Sequence, residues 1–441
     1  MRNILQKTID IAMSNGADSC DVILNSASSM DLSAHNGKLK KYKISQTSTL
    51  GIRVIKDKKI GLSYSESLDD DALLFTAKSA LENAQYSSVN EYETINVKNT
   101  TDYVEEFGIL DSSSTEERIE FALKLESEIK KRDARIQSAP YNGLHIGESA
   151  AHYLNSLGTY TLERENYLNA YTSSLFKVGE VTSSHYAQML GRKLSDLNLE
   201  KAIDESILHS ANWLEAKPVK TGKYDVVLDL EILQGLMSVF SHLFSAKEAI
   251  FKTNPWADKI GHAVAGSNFT LIDSPQYAEA FFKQVVDKEG TFIKDLTLIE
   301  NGVLKSFYHN TATAKHFGVE TTGHATRAPR GPLNVSGTNL MIRPGSHSES
   351  EVLADTYLEI IDVMGLGPGS DEMSGDFSFG ASGYLCKEGK RILPVKGITV
   401  AGNYNKLLNS ITRMGSELKS NHDQSFFAPL MRFSDLSVAG I

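Results

Sequence analysis

Three stretches of this chain carry side chains able to do chemistry. The densest runs from Tyr308-His309-Asn310-Thr311 to Thr322-Gly-His324-Ala-Thr-Arg327, with His309, His316 and His324 inside sixteen residues and Arg327 and Arg330 just beyond. Imidazoles can bind a metal or move a proton, and guanidinium groups grip carboxylates. The histidine spacing matches no short metal-ligand pair. His309, Asn310, His324 and Arg327 are therefore read as substrate contacts, with a three-histidine metal site as the competing possibility. The second stretch is Gly365-Leu-Gly-Pro-Gly369 followed by Gly375-Asp376-Phe-Ser378-Phe-Gly380. It has no P-loop, no Gly-x-Gly-x-x-Gly opening a helix and no Gly-x-Ser-x-Gly elbow. Its glycines suit close approach of an extended peptide, which an exposed strand edge captures through main-chain hydrogen bonds. Asp376 and Ser378 are the candidates there. The third stretch is apolar, at residues 230–250, with one imidazole, His242. Glu231 and Glu248 do not complete a His-Glu-x-x-His zinc pattern around it, and a solitary histidine is more often packed than ligating.

Composition narrows the classes. The 441 residues are 41% hydrophobic and 23% charged, which suits a soluble globular protein of two or three domains. Net charge is −10 (45 basic against 55 acidic residues), which disfavours nonspecific adhesion to nucleic acid or anionic membrane. No apolar run approaches the ~18 residues a membrane span needs, and the start lacks a signal-peptide core. Cys20 and Cys386 form no Cys-x-x-Cys pair. The expectation is a reduced, cytoplasmic protein whose thiols fill core space.

Elements that could position these residues follow from periodicity and turn chemistry. An amphipathic helix over 3–15 precedes strand-like runs at 20–25, 38–45, 47–55 and 60–65, with Asn36-Gly37 and residues 57–59 as turns. Ser67 is expected to cap a helix with Asp69, Asp70 and Asp71 in its first turn. Residues 88–113 read as a linker or crossover, and Ser114 with Glu117 as a capping box opening a helix to about 132. Strand-like runs at 135–139, 150–155, 159–164, 167–175 and 183–189 lead to a helix at 197–214 with Asp196 as N-cap. Helix, meander, helix thus occurs twice before a Pro- and Gly-containing joint at 217–222.

After the joint, a strand at 224–229 feeds one long helix at 230–250, with Leu233, Leu236, Met237, Phe240, Leu243 and Phe244 as its core stripe. Residues 268–273 form the next strand. Strands then dominate, with hairpin turns at Asn301-Gly302 and Glu388-Gly389 and short helices at 311–317, 348–355 and 404–414. The expected fold is α+β: an α/β unit at 1–87, a crossover at 88–113, a second α/β unit at 114–216, and a strand-rich, barrel-like domain at 217–441.

Several of these motifs, in their order, resemble the TldD/PmbA family. They are Asn310-Thr-Ala-Thr-Ala, Thr322-Gly-His-Ala-Thr-Arg327, Gly375-Asp-Phe-Ser-Phe-Gly-Ala-Ser-Gly383, Pro394-Val-Lys-Gly-Ile-Thr-Val-Ala-Gly-Asn403 and Leu436-Ser-Val-Ala-Gly440. Leu50-Gly-Ile-Arg-Val54, Asn155-Ser-Leu-Gly158 and Phe427-Ala-Pro429 fit as well. The resemblance implies a heterodimeric zinc peptidase. Its TldD branch carries His-Glu-x-x-x-His after the first strand of the C-terminal domain and a cysteine near the C-terminus. Here the motif positions fall on Met237, Ser238 and His242, and Ser420-Asn-His-Asp-Gln424 stands in the place of the cysteine. That is similar to the PmbA (TldE) branch, named for modulation of DNA gyrase. The implied role is cytoplasmic proteolysis of small or unfolded peptides, including peptide-antibiotic maturation and antitoxin turnover. No metal is expected in this chain, zinc belongs to a TldD-type partner, and direct nucleic-acid contact is not expected. A homodimeric, non-catalytic peptide-binding or chaperone-like protein is the alternative.

Overall fold

The computed structural model describes residues 1–95, 102–107 and 110–441. Its N-terminal part is built on one eight-stranded sheet. Six strands run in the order Lys59–Ser65, Lys38–Lys56, Ser19–His35, Gly143–Asn155, Tyr160–Val178, Tyr103–Phe107, and Ile136–Ser138 and Val181–Gly191 pair onto Tyr160–Val178. The two helix-and-meander units therefore share a sheet, joined by antiparallel pairing of Ser19–His35 with Gly143–Asn155. Helices Arg2–Ser14 and Asp70–Tyr86 bury Leu5, Ile9, Leu73 and Ala77 against Val22, Leu24, Leu50 and Ile52. Helices Thr115–Arg132 and Leu199–Asn212 cover the rest of the sheet through Ala122, Leu125, Ala202 and Ile203. The capping box forms as expected, with the Ser114 hydroxyl accepting from the Glu117 amide.

The C-terminal part holds a closed five-stranded barrel. Gly222–Leu228 pairs parallel with Thr356–Met364, which leads through Asp376–Lys387 to Lys390–Asn403, and Met431–Ala439 closes the ring back onto Gly222–Leu228. A second, six-stranded sheet places Leu271–Asp273 between Leu296–Glu300 and Leu340–Ile342, with Phe426–Ala428 next. One core joins the two, from Leu236, Met237 and Phe240 to Phe377, Phe379 and Val400. Both hairpin turns form, with Asn301 and Glu388 at positive φ ahead of their glycines.

Several expectations give way for identifiable reasons. The helix at 230–250 breaks into Leu230–Val239, a 3₁₀ turn Ser241–Phe244 and a helix Ala246–Ile250. Tyr308 interrupts it: its amide donates to the Phe244 carbonyl (2.7 Å) and its carbonyl accepts from the Ala246 amide (3.3 Å). Ser245 then takes an extended conformation and caps the second piece. Asp69, rather than Ser67, caps its helix, and the Ser67 hydroxyl instead donates to the Asp69 carboxylate. Asn198 replaces Asp196 as N-cap, because the Asp196 carboxylate is occupied by the amides of Arg192 and Lys193. The runs at 159–164 and 167–175 are one strand, Tyr160–Val178. The segment expected as a linker contains strand Tyr103–Phe107, although residues 96–101 and 108–109 of it lie outside the described residues. The helix expected at 404–414 stops at Leu407, and Ile411–Met414 is a strand pairing with Met431–Ala439.

Candidate functional site

A cleft opens beside the helix Leu230–Val239, as two adjoining hollows of about 190 and 370 Å³ that share Ser336, Gly337, Thr338 and Ser425. The smaller is lined by Met237, Ser238, Ser241 and Tyr308, the larger by His324, Glu163, Glu165, Lys283 and Lys288. The cleft thus lies on the seam between the N-terminal sheet, which supplies the glutamates, and the C-terminal domain.

At the motif positions the chemistry is mild. Met237 is buried, and its thioether accepts the Tyr404 hydroxyl at 3.0 Å. The Ser238 hydroxyl accepts from the Gln234 amide at 3.1 Å, one helical turn back. His242 lies on the 3₁₀ turn with Nδ1 3.8 Å from a Glu372 carboxylate oxygen, and neither ring nitrogen makes a hydrogen bond among the described residues. None of Ser420-Asn-His-Asp-Gln424 lines this hollow; the nearby hydroxyl is Ser425. His422 instead sits between two carboxylates, Nε2 3.2 Å from Glu205 and Nδ1 2.9 Å from Glu231. Their hydrogen bonds push its imidazole up to about 10.

Deeper in, Asp273 organises a polar network. Its carboxylate is fully buried and accepts the Tyr308 hydroxyl (2.7 Å), the Thr338 amide (2.8 Å) and the Thr338 hydroxyl. Gly337 must be small here, since a Cβ would come within 2.4 Å of the Tyr308 hydroxyl and 2.8 Å of an Asp273 oxygen. His324 packs against the Tyr308 ring (centroids 4.7 Å apart), with Nε2 3.7 Å from Asp273 Oδ1.

The remaining sequence candidates scatter. His309 is buried beside Phe317, and burial drives its imidazole down to about 4, so it is neutral. Asn310 caps the helix Thr311–Phe317 through the Thr313 amide (2.8 Å). Arg327 is buried across the domain seam, paired with Asp21 and donating to the Gly51 carbonyl at 3.3 Å. Asp376 is exposed and accepts from the Asn403 side chain at 2.8 Å, and Ser378 lies two residues further along the same barrel strand. Neither lines the cleft. His316 is exposed and stands edge-on to Tyr92, so the three histidines do not converge, and no three His, Cys, Asp or Glu form a metal set among the described residues. Asp273 and Thr338 went unsingled as site residues. The available signal was an aspartate ending the apolar run Phe-Thr-Leu-Ile-Asp273, since a charge there demands partners.

Family comparison agrees with this architecture. The family model for the PmbA/TldA metallopeptidase C-terminal domain matches residues 221–440, and that for PmbA/TldA metallopeptidase domain 1 matches residues 20–84. The chain belongs to the PmbA/TldD family. Metalloprotease PmbA of Escherichia coli O157:H7 is 22% identical over 437 residues, covering 95% of this chain and 93% of that protein. The metalloprotease PmbA homologue of Haemophilus influenzae is 24% identical over 434 residues, covering 95% and 92%. A Thermotoga maritima structure described as a candidate modulator of a DNA gyrase superposes with a TM-score of 0.88 at 25% identity, covering 99% of this chain and all of that one. TldE of Thermococcus kodakarensis shares the fold, with a TM-score of 0.85 at 20% identity over 99% and 100% of the two chains. PmbA/TldD membership places the chain in a peptidase family and raises the question of zinc. The donors at the positions that the resemblance assigns to the zinc motif, Met237, Ser238 and His242, do not fit that ion. A catalytic zinc wants three N, S or carboxylate ligands and an open fourth position, whereas a thioether already bonded to Tyr404, a hydroxyl and one imidazole stand here. Among the described residues no helix is long and apolar enough to cross a membrane.

Proposed function

We propose that this chain is the PmbA/TldE-type subunit of a cytoplasmic peptidase, with catalytic zinc supplied by a TldD-type partner. Its own cleft holds extended segments of small or unfolded peptides. The observation carrying this reading is the pairing of an open seam cleft with a motif helix whose ligand positions are Met237 and Ser238. Such a cleft can hold and align a chain while the water-activating metal sits on the partner. Holding a substrate in register is itself catalytic help when the reacting group lies on another subunit.

The test is co-expression with a partner bearing His-Glu-x-x-x-His, followed by size-exclusion chromatography, metal analysis and a peptide-cleavage assay. A co-eluting complex that cleaves peptides and carries zinc on the partner is the expected result. Stoichiometric zinc and cleavage by the isolated chain, lost on His242→Ala, would overturn it. Peptide binding by the isolated chain, with no complex and no gain in cleavage, would favour a homodimeric peptide-binding protein.

A further inference from the structure

A separate hollow of about 400 Å³ opens on the seam at the N-terminal end of the helix Leu230–Val239. Strand Val181–Gly191 and helix Leu199–Asn212 wall it from the N-terminal part with His185, Glu205 and His209. Strand Thr356–Met364 of the barrel lines it with Glu359 and Asp362. It shares no lining residue with the peptide cleft.

Carboxylates outnumber cations here. Glu205, Asp229, Glu231, Glu359 and Asp362 stand against Arg391 and His422, and both cations are already committed. Arg391 grips the two oxygens of Glu359 (2.6 and 3.1 Å), and His422 spans Glu205 and Glu231. Asp229 caps its helix by accepting the Glu231 amide at 2.9 Å. Asp362 is left without an ion pair among the described residues. Burial raises its carboxyl by more than the His185 ring and the Val363 amide lower it. A carboxylate drawn from water without a cation is costly, and a positive guest relieves that cost.

A second feature points to a guest. His209 is 7% exposed and lines the hollow, and its Nδ1 is taken by the Tyr384 hydroxyl at 3.0 Å. Its Nε2 makes no hydrogen bond among the described residues, yet it is not sealed from solvent as the two nitrogens of His242 are. That nitrogen is what the ring presents to the hollow. Burial drives the His209 imidazole down to about 4 and lowers that of His185, which stands edge-on to it with centroids 4.8 Å apart. Both rings are thus uncharged at neutral pH. A tyrosine hydroxyl can accept from Nδ1 as readily as donate to it, so the neutral His209 ring is free to offer its Nε2 lone pair. Among the described residues no three His, Cys, Asp or Glu form a metal set. Acceptors spread along a hollow suit an organic cation with several N–H donors, to which aromatic walls such as Tyr186 add attraction.

We propose that this hollow binds an ammonium or guanidinium group, with Asp362 as its charge partner and His209 Nε2 as a further acceptor. The group belongs either to a free amine or to the basic side chain of a peptide. Both parts of the chain wall the hollow, so its guest also fastens them together.

The experiment uses the full chain at low ionic strength and three probes: 1,4-diaminobutane, N-acetyl-lysine amide and N-acetyl-arginine amide. N-acetyl-norleucine amide is the uncharged control. Calorimetry gives affinities, and NMR follows the ring ¹⁵N signals of His185 and His209. At least one cation should bind about tenfold or more tightly than the control, shift the ring signals and raise the melting temperature. Binding of the diamine alone assigns a free amine, binding of the amino-acid amides alone assigns a side chain, and binding of both upholds the site. Asp362→Asn keeps the shape and should weaken cation binding about tenfold. The ring shifts in the unmutated protein give the answer even if that variant folds poorly. Cation affinity equal to that of the control, binding that leaves both rings unshifted, or affinity unchanged in a folded Asp362→Asn variant would overturn the site. Each of these results leaves the cleft reading untouched, since the two hollows have no residue in common.

Discussion

Two polar regions meet where the domains join, and they are built on opposite terms. At the buried seam, charges find charges. The Arg53 guanidinium, 1% exposed, binds Asp21 (2.6 Å), Glu93 (3.2 Å) and Glu289 (3.4 Å), and Arg327 closes the group by pairing with Asp21. At the first turn of the helix Leu230–Val239, His422 ties Glu205 of the N-terminal part to Glu231 of the C-terminal part. Beside the cleft, His324 Nε2 and one Glu163 oxygen have no hydrogen-bond partner among the described residues, and Met237 and Ser238 offer only a thioether and a hydroxyl. The contrast is one of charge pairing rather than of complete hydrogen bonding, since at the seam Arg327 Nε also has no hydrogen-bond partner among the described residues. It also shows why charge count alone misleads: Glu205, Glu231 and His422 are spent on docking, at the N-terminal end of the helix Leu230–Val239 and away from Ser238.

The comparison is tested most harshly at Arg53. Arg53→Met removes the cation shared by buried Asp21 and Glu289 and partly buried Glu93, leaving only Arg327 on Asp21, and removing one partner of a buried ionic group typically costs about 3–5 kcal/mol. Urea unfolding followed by fluorescence should show a large drop in midpoint. A change below about 1 kcal/mol would mean the seam does not hold the domains. Next in size is Gly51→Ala. Its Cβ would fall 1.9 Å from the Pro329 carbonyl oxygen, backbone against backbone across the seam, so neither side can rotate away. Overpacking of this kind costs about 1–3 kcal/mol or more, read in the same melt. An unchanged melt would show that the domains already have slack there.

How much of this was legible in the chain depended on the range of the interaction. The capping box at Ser114 and Glu117 and the turns at Asn36-Gly37, Asn301-Gly302 and Glu388-Gly389 are local chemistry, and they form as expected. The α+β class and the strand-rich C-terminal half followed from the density of hairpins, whereas closure of the barrel depends on Gly222–Leu228 meeting Thr356–Met364 and Met431–Ala439, pairings far apart in the chain. The break in the helix at Ser245 was hidden because the apolar stripe runs unbroken through Phe240, Leu243 and Phe244, while its cause is Tyr308, far along the chain. The sharing of one N-terminal sheet depends on Ser19–His35 meeting Gly143–Asn155, a pairing no local pattern announces. The site behaved likewise. His324 was singled out from its type, but Asn310 and Arg327 share its segment and are committed to a helix cap and an ion pair. Glu205, Glu231 and His422 belong to three separate segments, so their meeting is purely tertiary.

The His422 clamp gives the seam a pH signature. Its folded pKa, about 10, lies above the ordinary histidine value, because the hydrogen bonds to Glu205 and Glu231 favour the charged ring. Its contribution is therefore greatest below the unfolded value near 6.5 and is lost as pH rises from there through about 10. Against burial, which raises them, the hydrogen bonds from His422 hold Glu205 and Glu231 below the usual carboxylate range, so the clamp also weakens in strong acid as they protonate. The ring is partly exposed, and solvent screening reduces the net worth of the contact to about 1–2 kcal/mol. His422→Ala should lower stability by that amount at pH 7 and flatten the decline between pH 7 and 10. A parallel slope in wild type and variant would show that His422 is not the group responsible.

The smallest expected effect falls on the cleft side and tests its lack of metal donors. Ser238→Glu puts a carboxylate at the position that the sequence resemblance assigns to the TldD branch's motif glutamate. The position is exposed and close to the C-terminal end of the helix Leu230–Val239, so the added negative charge meets the negative end of the helix dipole at a cost of about 0.3–1 kcal/mol. No hydrolysis should appear. A general base needs a polarised water to act on, and Met237, held by Tyr404, contributes no ligand to hold a metal over that spot. If the isolated variant cleaved peptides in a chelator-sensitive manner, the cleft would be a metal site one residue short of activity. If it stays inert yet binds peptide as wild type does, the hydroxyl and the thioether are a surface for holding chain, and the division between seam and cleft stands as drawn.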